Sequence, residues 1–182
     1  MSETSAPTAA VLVIDLQTGM FNGVLEPVIH DADTLVARTR AVVDWARSTG
    51  RPVAFVRHDG PTGDPLAPGE PGWPVWPPLG QAEAEPTFSK TVGDAFSQPA
   101  LGAWLDGLAA EEVILLGAQS EHCVAATTHG ALARGLKVTV VGDAHSTWPW
   151  NGETAETIIA RQNHAFTAAG ATVTTAEALT AS

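Results

Sequence analysis

The chain of 182 residues has a single cysteine. One thiol forms no internal disulfide framework, so the composition points to a reducing, cytoplasmic setting. Basic residues are also scarce: nine Lys plus Arg stand against twenty Asp plus Glu, a formal net charge of −11. That balance argues against nucleic acid and anionic membrane surfaces as partners and leaves a small-molecule substrate open. No apolar run approaches the ~18 residues of a membrane span. The first ten residues lack a basic start and a long apolar stretch, and residues 1–9 are read as a frayed start and not as a signal peptide. Gly-x-Gly-x-x-Gly, Gly-x-x-x-x-Gly-Lys-Ser/Thr and Gly-x-Ser-x-Gly are all missing, which disfavours dinucleotide binding, nucleotide phosphates and a serine elbow.

What is present is a regular alternation of short apolar runs and helical periods, read as one domain over residues 1–182. Strands are expected at Val11–Leu16, Pro52–Arg57, Thr87–Lys90, Glu112–Gly117, Lys137–Val141 and Thr172–Thr174. Helices are expected at Asp31–Ser48, Pro99–Leu108, Glu121–Arg134 and Glu153–Ala169. Ser97 is a plausible N-cap for the second helix, with Pro99 at its first position. Residues 60–86 are rich in Pro and Gly and have no period, so they form a long irregular insertion. Trp73 and Trp76 within it argue for order. The pattern predicts an α/β fold of three layers, helices covering both faces of a six-stranded, mostly parallel sheet.

Ligands of such sheets bind beyond the carboxyl ends of the strands, where strand order reverses. In the order 3-2-1-4-5-6 the first and fourth strands meet at that point. Asp15 ends the first strand, Lys90 the third, and Cys123 follows the fourth. A thiol in the first turn of a helix experiences unpaired amides and the positive dipole end, which would lower its pKa toward thiolate. A thiolate attacks carbonyl carbon, Asp15 can act as base and then acid, and Lys90 can hold the charges in balance. The turn from Gly117 to Cys123 offers backbone donors for an oxyanion. The bland alternatives are an inert buried cysteine, a helix-capping aspartate and a solvated lysine.

Phe21, Trp76, Trp148 and Trp150 all fall in loops at the same sheet edge and are candidate pocket residues. His58 at the end of the second strand is a candidate for substrate binding, or pairs with Asp59 to shape the loop base. His122 neighbours Cys123 but points about 100° away on a helix, so Asp15 is the favoured proton partner. His145 is placed at the pocket rim.

These residues resemble the isochorismatase-like cysteine hydrolases over nearly the whole chain, from Val11 to about Ala178. Val11-Leu-Val-Ile-Asp-Leu-Gln17 resembles the family's opening strand with its catalytic Asp. Lys90 with Asp94-Ala-Phe96 resembles the Lys segment, and Gly117-Ala-Gln-Ser-Glu-His-Cys-Val124 resembles the cysteine motif. Asp143-Ala-His-Ser-Thr147 and Ile158-Ile-Ala-Arg-Gln-Asn163 are similar to the downstream signature. Asp94 replaces the Ser usual in the Lys segment, and Ala118 and Ser120 are mild departures from the more usual Val and Thr. The insertion resembles a segment of streptothricin-hydrolase-like proteins.

The resemblance implies an isochorismatase-like hydrolase fold with Asp15, Lys90 and Cys123 as triad. It also implies a cis peptide at Ala118–Gln119 and backbone N–H groups of Gln119 and Cys123 as oxyanion donors. It implies a homodimer or homotetramer. The activity expected is hydrolysis of a C–N bond in a small amide, lactam or ureido compound through a thioester. The alternatives are isochorismatase-type vinyl ether hydrolysis, or a non-catalytic binding member. Nicotinamidases of this family hold a metal with Asp-x-His and a further His; here no further His follows His58 until His122. No metal and no cofactor are therefore expected.

Overall fold

The computed structural model describes residues 8–182. The strands are β1 (Thr8–Ile14), β2 (Val53–His58), β3 (Thr87–Lys90), β4 (Ala110–Ala118), β5 (Lys137–Ser146) and β6 (Thr172–Thr174). The helices are α1 (Ala32–Ser48), α2 (Pro99–Gly107), α3 (Ala125–Ala133), α4 (Ala155–Ala169) and α5 (Ala176–Thr180). The strands form one sheet in the order β3-β2-β1-β4-β5-β6, and every pairing is parallel. Order and class are those expected from the alternation of elements.

β1 shows why the sheet has two covered faces. Val11 and Val13 join the cluster that contains Leu35, Val42, Val43 and Ala46 of α1 and Ala176 of α5. Ala10, Leu12 and Ile14 join the other, with Leu101 and Leu105 of α2, Ala131 of α3 and Phe166 of α4. Alternate side chains of one strand thus enter opposite layers, and a strand buried on both sides must be apolar throughout.

Several boundaries differ from expectation. Residues 1–7 of the expected frayed start lie outside the described residues, but Thr8 and Ala9 belong to β1, where Ala9 is buried. The expected helix over Glu121–Arg134 begins instead as a π-helical turn, Ser120–Val124, before α3. β5 runs on past Val141 to Ser146 because its register against β4 shifts between Leu115 and Gly117, absorbing extra residues in a bulge. Ser97 does not cap α2; Gln98 occupies the N-cap without a side-chain bond, and Pro99 starts the helix.

The stretch over residues 60–86 is irregular apart from a 3-10 turn at Pro77–Leu79, and Leu66, Ala67 and Leu79 within it are buried. Its backbone is stitched to the loop after β1 by Thr18 N–H to Pro74 O (2.8 Å), Gly19 N–H to Gly72 O (2.9 Å) and Trp76 N–H to Leu16 O (2.9 Å). Gly72 is required here, since a Cβ there would lie 2.6 Å from the Pro65 carbonyl oxygen within the insertion and 3.1 Å from Gly19 Cα across the contact.

Candidate active site

β1 and β4 are neighbours, and the connections leaving them part company beyond their carboxyl ends. Asp15 follows Ile14 directly with φ 52°, a left-handed conformation uncommon outside glycine, and its N–H bonds Val56 O at 2.9 Å. Gly117 makes the approach of the two strands possible. Its φ is 132°, and a Cβ would lie 2.0 Å from the Ile14 carbonyl oxygen. The next peptide, Ala118–Gln119, is cis.

Three side chains meet here. The Lys90 ammonium donates to Asp15 Oδ2 at 2.7 Å and to Cys123 Sγ at 3.2 Å. Asp15 and Lys90 are each 1% exposed. The other carboxylate oxygen, Asp15 Oδ1, is buried without a hydrogen-bond partner. Lys90 comes from the last position of β3, where it is register-paired with His58 of β2, so the sheet itself sets its reach.

Electrostatics at the trio differ from expectation. Burial and the neighbouring Asp15 carboxylate push the Cys123 thiol up to about 12, against the pull of Lys90. Local amides at the turn favour the thiolate, but desolvation of the anion is the larger effect. Burial also raises the Asp15 carboxyl, with Lys90 and Cys123 pulling it down. Burial works against the Lys90 ammonium too, but Asp15 and Cys123 beside it leave its pKa above the ordinary lysine value. With Lys90 charged and one proton shared between Asp15 and Cys123, the trio is neutral wherever that proton sits. Moving it from Sγ to Asp15 adds no net charge to the buried site.

A cavity of about 210 Å³ opens onto the thiol, lined by Asp15, Met20, Leu25, His58, Leu66, Ala118, Gln119, Cys123 and Trp148. Of the expected pocket residues, His58 and Trp148 line it. Phe21 and Trp76 instead stack on each other, ring centroids 5.2 Å apart and planes nearly parallel, against the α1-side core. His58 and Asp59 do not pair: Asp59 Oδ1 accepts from the Trp73 indole at 2.8 Å, and His58 Nδ1 is buried without a partner. His145 is not at this cavity's rim. Its Nε2 donates to Asn163 Oδ1 (2.9 Å), so Nδ1 is left to accept from Ser120 Oγ (2.7 Å). His122 is exposed.

Two contributors were missed by sequence reasoning. Gln17 is fully buried; its Nε2 donates to His58 O (2.9 Å) and Trp73 O (2.8 Å), and its Oε1 accepts from His58 N–H (3.0 Å). It ties β1, β2 and the insertion together behind the cavity. Arg57 lies over the Trp73 ring at 3.5 Å and helps fix the insertion from outside.

The chain does not fit the metal site of the nicotinamidases. Asp59 is engaged by Trp73, and the one group of three possible ligands among the described residues is Asp15, His58 and Cys123. Two of these already face the Lys90 ammonium, whose charge opposes a cation. Among the described residues, no helix is long and apolar enough to cross a membrane.

Comparison with known proteins agrees with this architecture. The family model of the isochorismatase domain matches residues 9–178. Two streptothricin hydrolases from Streptomyces noursei are 37% identical over 139 residues and 36% identical over 155 residues. These matches cover 76% and 81% of this chain but only 50% and 61% of the relatives, so the chain spans about half to three fifths of their length. A structure from Oleispira antarctica described as an isochorismatase hydrolase superposes with a TM-score of 0.89 at 27% identity, covering 100% of both chains. An isochorismatase from Pseudomonas putida KT2440 superposes with a TM-score of 0.84 at 27% identity, covering 97% of this chain and 93% of that one.

Proposed function

The chain belongs to the isochorismatase family of hydrolases, and from that premise we propose that it hydrolyses a C–N bond of a small amide, lactam or ureido compound, with Cys123 as nucleophile. The observation that carries this reading is the Lys90 ammonium bonded to both Asp15 and Cys123, with Asp15 Oδ1 left free. The streptothricin hydrolase relatives support a C–N bond as the target.

The steps follow from the trio. The Sγ proton passes to Asp15 as the thiolate attacks the carbonyl carbon, forming the S–C bond. The resulting oxyanion is held by the backbone N–H groups of Gln119 and Cys123. Collapse breaks the C–N bond, and Asp15 returns the proton to the leaving nitrogen. Water then adds to the thioester, giving a proton to Asp15, and the departing sulfur regains it. Lys90 stays charged throughout and keeps the trio neutral in the resting state. No lysine or arginine lines the cavity, which disfavours vinyl ether hydrolysis of a dianion such as isochorismate.

A panel of small amides, lactams and ureido compounds, scored by amine or ammonia release, tests the proposal. Cys123→Ala is expected to lower turnover by about 10³-fold or more at unchanged thermal stability. Acid-quenched wild type is expected to carry the acyl fragment on Cys123. Comparable turnover in Cys123→Ala overturns the covalent mechanism.

A further inference from the structure

A second cavity of about 240 Å³ adjoins the first, lined by Gln119, Glu121, His122, Thr147, Trp148, Pro149 and Trp150. Gln119 and Trp148 line both cavities, so the two share a wall. Resting on the amide hydrolase reading above, we propose that this second cavity receives a cationic group of the substrate, an ammonium or guanidinium, while the first receives the scissile carbonyl.

The charge of Glu121 is the first argument. Its side chain is 16% exposed, and Oε1 accepts one hydrogen bond, from Thr147 Oγ1 at 2.8 Å. Oε2 is buried with no partner. His122 Nε2 lies 3.8 Å from Oε1, on a side chain that is 65% exposed. No lysine or arginine lines either cavity. A largely desolvated carboxylate with one bond and no fixed counter-charge favours a cation that arrives with the substrate. Lys90 does not fill that role, because its charge is already engaged by Asp15 and Cys123.

The aromatic wall is the second argument. Trp150 is 69% exposed, although its backbone is held by a reciprocal pair of bonds with Glu153 (3.1 and 2.9 Å). Trp148 is fixed by its indole N–H, which donates to Pro27 O at 2.6 Å. Both rings belong to residues that line this cavity, and tryptophan is the best aromatic partner for a cation. An amine without its charge would leave Glu121 uncompensated, and an anion would be repelled by it, so the subsite discriminates by charge.

The single cysteine allows a test that needs no substrate. Cys123 is reacted with three methanethiosulfonates: neutral methyl, cationic 2-(trimethylammonium)ethyl and anionic 2-sulfonatoethyl. Each rate is divided by that of the same reagent with 2-mercaptoethanol. Salt near 0.15 M screens the overall negative charge beyond about 8 Å. The cationic-to-neutral ratio is expected to exceed unity by about tenfold, and the anionic-to-neutral ratio to lie below unity. Glu121→Gln should bring the first ratio to within about threefold of unity, and exposed Trp150→Ala, which does not threaten the fold, should lower it part of the way. Glu177→Gln on α5 makes the same change in net charge away from both cavities and should keep the wild-type ratio. Equal normalised rates for the three reagents, or a ratio unmoved by both cavity variants, overturns the subsite and leaves the nucleophile standing. Failure of Cys123 to react with any reagent overturns the proposed nucleophile and the subsite with it.

Discussion

The proposed chemistry turns on how buried Asp15 and Lys90 and half-buried Cys123 share their charges. Cys123 alone is a poor acid, pushed up to about 12 by burial and by Asp15. Asp15 alone is a reluctant anion, raised by burial. Lys90 reconciles them, because its cation is satisfied by either anion at 2.7 and 3.2 Å. Activation of the thiol therefore requires Asp15 to be deprotonated first, so that it can accept the Sγ proton. Alkylation of Cys123 by iodoacetamide should rise with pH as Asp15 ionises. Removing the cation in Lys90→Met raises both Asp15 and Cys123 further, so the rising limb of the pH profile should move to higher pH. Lys90→Arg should restore part of the shift, the planar fork having different reach. A profile unchanged in Lys90→Met would make Lys90 a bystander. The residue types of this trio and their places at strand ends were readable from the sequence. The direction of the thiol shift was not, since desolvation depends on everything folded around Sγ and not only on neighbouring amides.

At the scale of elements, the turn that carries Cys123 is anchored from behind. Ser120, His145 and Asn163 form a chain of hydrogen bonds (2.7 and 2.9 Å), and Asn163 Nδ2 completes it to Gly142 O at 2.9 Å. The π turn, β5 and α4 are thereby joined through a neutral imidazole. Burial lowers the His145 pKa below 6.5, with Asn163 and nearby carboxylates opposing. The unfolded chain then binds a proton that the folded chain refuses, so stability present above about pH 6.5 is lost as pH falls from there toward the folded value. Urea midpoints should drop across that window in wild type and drop less in His145→Gln. An equal drop in both would assign the loss to other groups. Elements built from local pattern were legible: the apolar run of β1, the helical spacing of α1, and Gly170 ending α4. Elements set by distant pairing were not. β5 continues through Gly142 and Asp143 only because β4 is there to hold a bulge. Gln17 reads as a loop residue until His58 and Trp73, 41 and 56 residues away, close around it.

The whole molecule brings the trio together by topology. An all-parallel sheet with β1 beside β4 brings Asp15, Lys90 and Cys123 from three separate segments to one edge, and the insertion and the loop after β5 wall in the cavity. That convergence was visible in outline from alternation and apolar runs, because a parallel order that reverses beside β1 leaves few other places for a site. The division of aromatic rings between cavity and packing was not visible, since Phe21 and Trp76 satisfy each other by stacking. The central claim is that the single thiol is the nucleophile, and its being the only cysteine makes any alkylation unambiguous. The most direct test follows hydrolysis of the best amide of the panel while iodoacetamide is added in steps and the alkylated fraction is read by intact mass. The account predicts that activity falls in proportion to the fraction alkylated and vanishes when Cys123 is fully modified. Undiminished hydrolysis by fully alkylated protein would contradict it.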